Sequence, residues 1–202
     1  MKKVFNAANI ITFTRIFLLF VLVFMLYGEG PYLKISALIL LLLVIWMDWL
    51  DGVVARKWGL TTKLGAVLDI AGDRIVENTL LIVFADLDLI PIWVPIVFIS
   101  RGFLANAIRG MALAKGQTSF AMMRSKLGRL LVASRFGRGS YLSSKGSLFT
   151  LAVVVHILKT ELSLSDIGWL ENLLFVIVLI TVAYNLSRFV LLAYDSRKLL
   201  SD

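Results

Sequence analysis

Long apolar runs separated by short polar breaks dominate this chain. Hydrophobic stretches cover roughly residues 11–27, 34–57, 65–85, 91–113, 147–159 and 168–193. At about 1.5 Å of rise per residue, most are near the length a helix needs to cross ~30 Å of hydrocarbon. The strict apolar–polar alternation of a barrel strand is missing from them. Gly28 to Pro31, Trp58 to Lys63, Asp88 to Pro91 and Ser163 to Gly168 supply the turns. The pattern predicts an all-α integral membrane protein, a six-transmembrane-helix bundle forming one domain over 1–202. Residues 1–10 would be an N-terminal cytoplasmic segment, and 115–146 a basic cytoplasmic segment between spans 4 and 5. The fifth run is short, with room to extend at its start.

Composition agrees with that picture. The chain is 59% hydrophobic with a mean hydropathy of +0.90, beyond the range of a soluble domain. The net charge of +8 is sorted by side. From Lys115 to Lys145 there are seven Lys or Arg and no Asp or Glu, and Lys2, Lys3, Arg56, Lys57, Lys63, Arg197 and Lys198 fall on the same side. The opposite loops hold Glu29, Asp86, Asp88, Glu161, Asp166 and Glu171 against only Lys34 and Lys159. The positive-inside rule then puts both termini in the cytoplasm. The first run follows Lys2 and Lys3 as a signal peptide would, but Asn9, Thr12, Thr14 and Arg15 interrupt its start, so it reads as a retained span. No nucleic-acid motif accompanies the basic charge, and loop bias toward anionic lipid accounts for it. There is no cysteine, which excludes thiolate chemistry. The single histidine, His156, sits in an apolar run and reads as a packed side chain.

Against that background four acids stand out. Asp48 and Asp51 lie in the second apolar run, Asp69 and Asp73 in the third. A carboxylate in hydrocarbon costs a few kcal/mol or more, so it normally faces a polar cavity and a partner. Asp48, Asp51, Gly52 and Ala55 are spaced i, i+3, i+4, i+7; Gly65, Asp69 and Asp73 are spaced i, i+4, i+8. Each set shares one helix face. The short turn between the runs makes the helices antiparallel neighbours, with all four acids at matched depth in the cytoplasmic leaflet. Hard oxygen ligands without imidazole or thiolate point to Mg²⁺, Mn²⁺ or Ca²⁺. A pair of such ions is a recurrent device for phosphoryl chemistry, and Arg56 adds a fixed charge suited to phosphate. The alternative is a set of ion pairs, Asp51 with Arg56 and Asp73 or Glu77 with Arg74.

The spacing DxxDGxxAR, eight residues, GxxxDxxxD resembles the signature of the CDP-alcohol phosphotransferase family at Asp48, Asp51, Gly52, Ala55, Arg56, Gly65, Asp69 and Asp73. The resemblance implies an enzyme that displaces CMP from a CDP-linked donor with an alcohol. It implies two divalent ions, Mg²⁺ or Mn²⁺, on Asp48, Asp51, Asp69 and Asp73, with Asp73 also the general base. Gly52, Ala55, Arg56 and Gly65 would border the CDP moiety. Asn9, Thr12 and Arg15 resemble the family's N-terminal NxxTxxR element, with Ala8 where many members have Pro, and are further donor-side candidates. Their plainer readings are helix capping and snorkelling. The resemblance also implies CDP-diacylglycerol as donor, a homodimer, and a bacterial or archaeal cytoplasmic membrane with the site facing the cytoplasm.

On the acceptor side, Arg101 lies too deep in the fourth run to be a plain topology signal, and Arg109 follows eight residues later. Arginines at this spacing could grip a phosphate. The stretch SRGFLANAIRG resembles the fourth span of phosphatidylglycerophosphate synthases, with Gly102 where those carry Glu. Lys145 stands at the entry to the fifth span, as a lysine does in that group. The expected acceptor is a small phosphorylated alcohol, glycerol 3-phosphate first. An inositol phosphate, another polyol or phosphatidylglycerol stays open. From another class, a cation transporter could use the same acids as its ion path.

Overall fold

A computed structural model describes residues 7–57, 63–114, 123, 125–161 and 167–200, with side chains described at 9–48, 65, 67–112, 123, 125–132, 134–161 and 167–197. Every described element is helical: α1 (Ala7–Tyr27), α2 (Pro31–Lys57), α3 (Lys63–Asp86), α4 (Trp93–Ala114), a single turn α5 (Lys126–Gly128), a π-helical turn (Arg129–Ala133), α6 (Arg135–Glu161) and α7 (Gly168–Leu200). Each predicted apolar run overlaps one of the six long helices among the described residues, the fourth beginning at Trp93 rather than at 91. Among the described residues, four stretches are long and apolar enough to cross a membrane: Asn9–Tyr27, Pro31–Asp48, Arg135–Glu161 and Gly168–Arg197. The chain is therefore a helical integral membrane protein. Helices α3 and α4 carry charged residues mid-helix, which lowers their apolar density.

One boundary differs from expectation. Helix α6 starts at Arg135 rather than near 147, so 135–146 is helix and not a loop. That segment, RFGRGSYLSSKG, has no apolar stripe to betray it. Its hydroxyls are instead paired with α7, as described below.

The contacts group the chain into two compact units, Met1–Leu89 with Phe149–Glu171, and Ile90–Leu148 with Asn172–Asp202. In the first, α1 packs on α2 and α3. Their buried stripes are apolar over most of their length: Leu19, Leu22 and Leu26 on α1, Ala37, Leu41 and Val44 on α2, Leu80, Leu81 and Phe84 on α3. The Phe84 ring lies 5.9 Å from that of Phe149. Gly30 turns the chain between α1 and α2 at φ +103°, a conformation that costs glycine little. Near that turn Lys34 reaches Glu161 at 2.8 Å and donates to Thr160 at 2.7 Å. His156 Nε2 lies 3.0 Å from the Leu26 carbonyl, which it can only donate to, so this histidine is packed as expected.

In the second unit, the first part of α6 meets α7 through a ladder of polar pairs: Ser144 with Thr181 at 2.6 Å, Tyr141 donating to Asn185 at 2.9 Å, and Ser140 with Tyr184 at 2.7 Å. Hydroxyl and amide pairs of this kind join helices where apolar side chains gain nothing over lipid. Arg188 donates to the carbonyls of Leu131 and Gly137 and lies over the Tyr141 ring, tying the π-helical turn and the start of α6 to α7. Asp195 accepts from the Ser125 hydroxyl at 2.9 Å, and that hydroxyl accepts in turn from Gly128 N–H, capping α5.

Candidate metal centre

Helix α1 changes character along one face. Its buried positions run Asn9, Thr12, Arg15, Leu19, Leu22, Leu26, spaced three or four apart. The last three are core. The first three are polar, and all three are buried. The opposite face is a row of exposed phenylalanines, Phe13, Phe17, Phe20 and Phe24, suited to lipid. A buried polar stripe on an otherwise apolar helix needs partners.

Helices α2 and α3 supply them. On α2 the buried stripe Lys34, Ala37, Leu41, Val44 continues in register to Asp48. On α3, Asp69 and Asp73 lie one turn apart. Asp48, Asp69 and Asp73 each present a carboxylate oxygen within 4.8 Å of the others. The guanidinium of Arg15 joins two of them: Nη1 bonds Asp48, and Nη2 bonds Asp73 at 2.7 Å. Snorkelling is thereby overturned for Arg15, which is 1% exposed and turned into the bundle.

Gly72 leaves room for this approach. A Cβ there would lie 2.8 Å from Thr12 Cγ2 and 3.1 Å from Arg15 Nη2. The role of Gly72 is not marked in the sequence, because a close approach between helices depends on both of them. One of the alternative ion pairs is present, Arg74 with Glu77 at 2.8 Å. It does not account for the acids of the cluster, since Asp73 bonds Arg15.

Gly65 lies on α3 one turn before Asp69. Asp51, Gly52, Ala55 and Arg56 belong to the last turns of α2, and their side chains lie outside the described residues. The acceptor-side candidates belong to the second unit. Arg101 falls on the buried stripe of α4, Val94, Phe98, Arg101, Ala105, Ala112, and is itself buried. Arg109 is half-buried. The Lys145 ammonium sits 4.9 Å from the centre of the Tyr141 ring. The parts played by Arg188 and Asp195 in holding that unit were not read from sequence.

Chemically, three clustered carboxylates and no nitrogen or sulfur ligand make a hard-oxygen site. Such a set, at the C-terminal end of one helix and the N-terminal half of the next in a membrane helix bundle, could hold a divalent cation. Comparison with known proteins sharpens this. The family profile described as CDP-alcohol phosphatidyltransferase matches residues 5–192. The chain belongs to the CDP-alcohol phosphatidyltransferase family, whose members are transferases.

Among similar proteins is a CDP-diacylglycerol–glycerol-3-phosphate 3-phosphatidyltransferase of Bacillus subtilis, 31% identical over 137 residues, which are 61% of this chain and 70% of that protein. One of the same name from Haemophilus influenzae is 35% identical over 120 residues, 57% of this chain and 63% of that protein. A cardiolipin synthase (CMP-forming) of Streptomyces coelicolor is 31% identical over 87 residues, 43% of this chain and 40% of that protein.

Proposed function

We propose that this chain transfers a phosphatidyl group from CDP-diacylglycerol to glycerol 3-phosphate, giving phosphatidylglycerophosphate and CMP. The observation that carries the reading is the convergence of Asp48, Asp69 and Asp73 within 4.8 Å, in a chain whose relatives are named for that transfer. The oxygen of the acceptor hydroxyl forms a bond to the phosphatidyl phosphorus, and the bond from that phosphorus to CMP breaks. Asp73 takes the hydroxyl proton as the new bond forms. Asp48, Asp51, Asp69 and Asp73 would hold two divalent ions, Mg²⁺ or Mn²⁺. When bound, such ions would supply charge to neutralise the donor's pyrophosphate and the leaving CMP. Asn9, Thr12, Gly52, Ala55, Arg56 and Gly65 border the donor, and Arg15 stands beside them. Arg101, Arg109 and Lys145 recognise the acceptor's phosphate, an assignment that rests on sequence likeness.

In this reading the chain is one membrane domain of six spans with both termini cytoplasmic, supported by the unbroken family match and the sorted loop charge. Its site faces the cytoplasm, where a lipid donor can enter sideways and a soluble acceptor from the water, and the enzyme works as a homodimer in a prokaryotic cytoplasmic membrane. A second reading keeps the chemistry and changes the acceptor to phosphatidylglycerol. Two observations favour considering it: the likeness to a cardiolipin synthase, and Gly102 in place of an acid beside Arg101.

The test is CMP release by purified protein from CDP-diacylglycerol with Mg²⁺ or Mn²⁺, with Asp73→Asn as blank. Glycerol 3-phosphate, inositol 1-phosphate, inositol, serine and phosphatidylglycerol are offered separately. Release with glycerol 3-phosphate alone is expected. Release with another acceptor corrects the acceptor, and no release with any would reopen transport through the aspartates.

A further inference from the structure

The structure gives Arg15 a place that the transfer reaction alone does not explain. Its guanidinium bonds Asp48 on α2 and Asp73 on α3, the same acids that the proposed metal site uses. The seat is built for it. Thr12 and Gly72 close around the guanidinium, and a Cβ on Gly72 would come within 3.1 Å of Nη2. Arg15 is 1% exposed, whereas the Asp48 and Asp73 side chains are 26% and 46% exposed. The cation is therefore at the inner wall of the cluster, and the acids open outward.

Charge makes the consequence definite. With all three acids ionised, Asp48, Asp69 and Asp73 bring three negative charges against the one positive charge of Arg15, so the described cluster is net negative. A divalent ion entering the cluster meets attraction from the acids and repulsion from a guanidinium already bonded to two of them. In a partly buried site, effects of this size at contact distance exceed those of any surface pair.

We propose that Arg15 is a resident counter-ion that holds the acidic cluster together without metal and weakens its affinity for divalent ions alone, so that tight ion binding waits for an anionic substrate. The pyrophosphate of the donor supplies the negative charge that outweighs Arg15. This deepens the metal reading given above and rests on it. Arg15 is a positioning residue here: it acts through Asp48 and Asp73.

The test is Mn²⁺ binding to the purified full-length protein in detergent, read from the paramagnetic resonance of free Mn²⁺, with and without cytidine diphosphate as anionic probe. In wild type, affinity should be weak and should rise with the nucleotide. Arg15→Gln should bind Mn²⁺ about tenfold or more tightly without nucleotide, because one repelling charge is gone, and should depend less on nucleotide. Arg15→Lys keeps the charge and should stay near wild type. Loss of a merely structural contact would weaken binding, not tighten it. Unchanged or weaker affinity in Arg15→Gln overturns the proposal. Should that variant fail to fold, Gly72→Ala serves: it crowds the seat while leaving every charge in place, and should move affinity in the same direction by less. No movement there overturns the proposal equally. Absence of Mn²⁺ binding in wild type, with or without nucleotide, sinks the metal reading itself.

Discussion

Replacing Asp69 with asparagine should make the protein more stable without metal and inactive with it. Asp48, Asp69 and Asp73 present oxygens within 4.8 Å of one another. Two full charges at that separation repel by about 3.5 kcal/mol at an effective dielectric near 20. Arg15 offsets Asp48 and Asp73 by direct bonds and attracts Asp69 as well, from farther off. Asp69 is exposed and faces both other acids, so solvent and salt screen much of its repulsion. A net relief of about 1–2 kcal/mol is then reasonable for the isosteric Asp69→Asn. For a domain of this size that corresponds to a rise of roughly 2–8 °C in Tm. The assay is thermal unfolding in detergent, once with chelator and once with excess Mn²⁺, beside CMP release. The variant should melt above wild type in chelator. Wild type should gain more from Mn²⁺, so the order narrows or inverts, and CMP release by the variant should collapse. The reasoning is refuted if the variant melts at or below wild type in chelator, or if Mn²⁺ stabilises both equally.

Asp73→Asn should lower CMP release by about 10²-fold or more while leaving the far-ultraviolet circular dichroism unchanged, since it removes the proton acceptor and one ligand at once; near-normal turnover would refute the base assignment. Glu77→Gln should cost about 1–3 kcal/mol, read as a lower Tm, because Glu77 is buried and its Arg74 partner would keep its charge. Arg101→Ala should raise the KM for acceptor far more than that for CDP-diacylglycerol in steady-state CMP release. Equal effects on both would remove Arg101 from the acceptor side.

What could be read from sequence followed from how strongly each feature is written. The apolar runs predict all six long helices, because hydrocarbon demands continuous apolar stretches and internally satisfied backbone. The start of α6 was missed for the opposite reason. Arg135 to Gly146 is polar, and its helix is held by Ser140, Tyr141 and Ser144 bonding α7, a tertiary cause with no periodic trace. The cluster of Asp48, Asp69 and Asp73 was legible because helical spacing and a short turn fix both face and depth. Arg15 was a candidate on its motif alone. Nothing in a single chain says that a residue 33 positions before Asp48 and 58 before Asp73 will bond both. Gly72 was invisible in the same way, because close approach between helices is a property of the pair.

The arrangement around Arg15 also bears on why the acids are there at all. An ion cluster in a helix bundle is a poor way to gain stability, since apolar residues of like volume pack there at no desolvation cost. Here the chain commits a buried arginine and two further buried polar side chains, Asn9 and Thr12, to one end of α1, whose other turns are ordinary leucine core, and sets a glycine of α3, Gly72, against them. Fold stability alone gives no reason for that concentration. An anionic ligand bound through cations does.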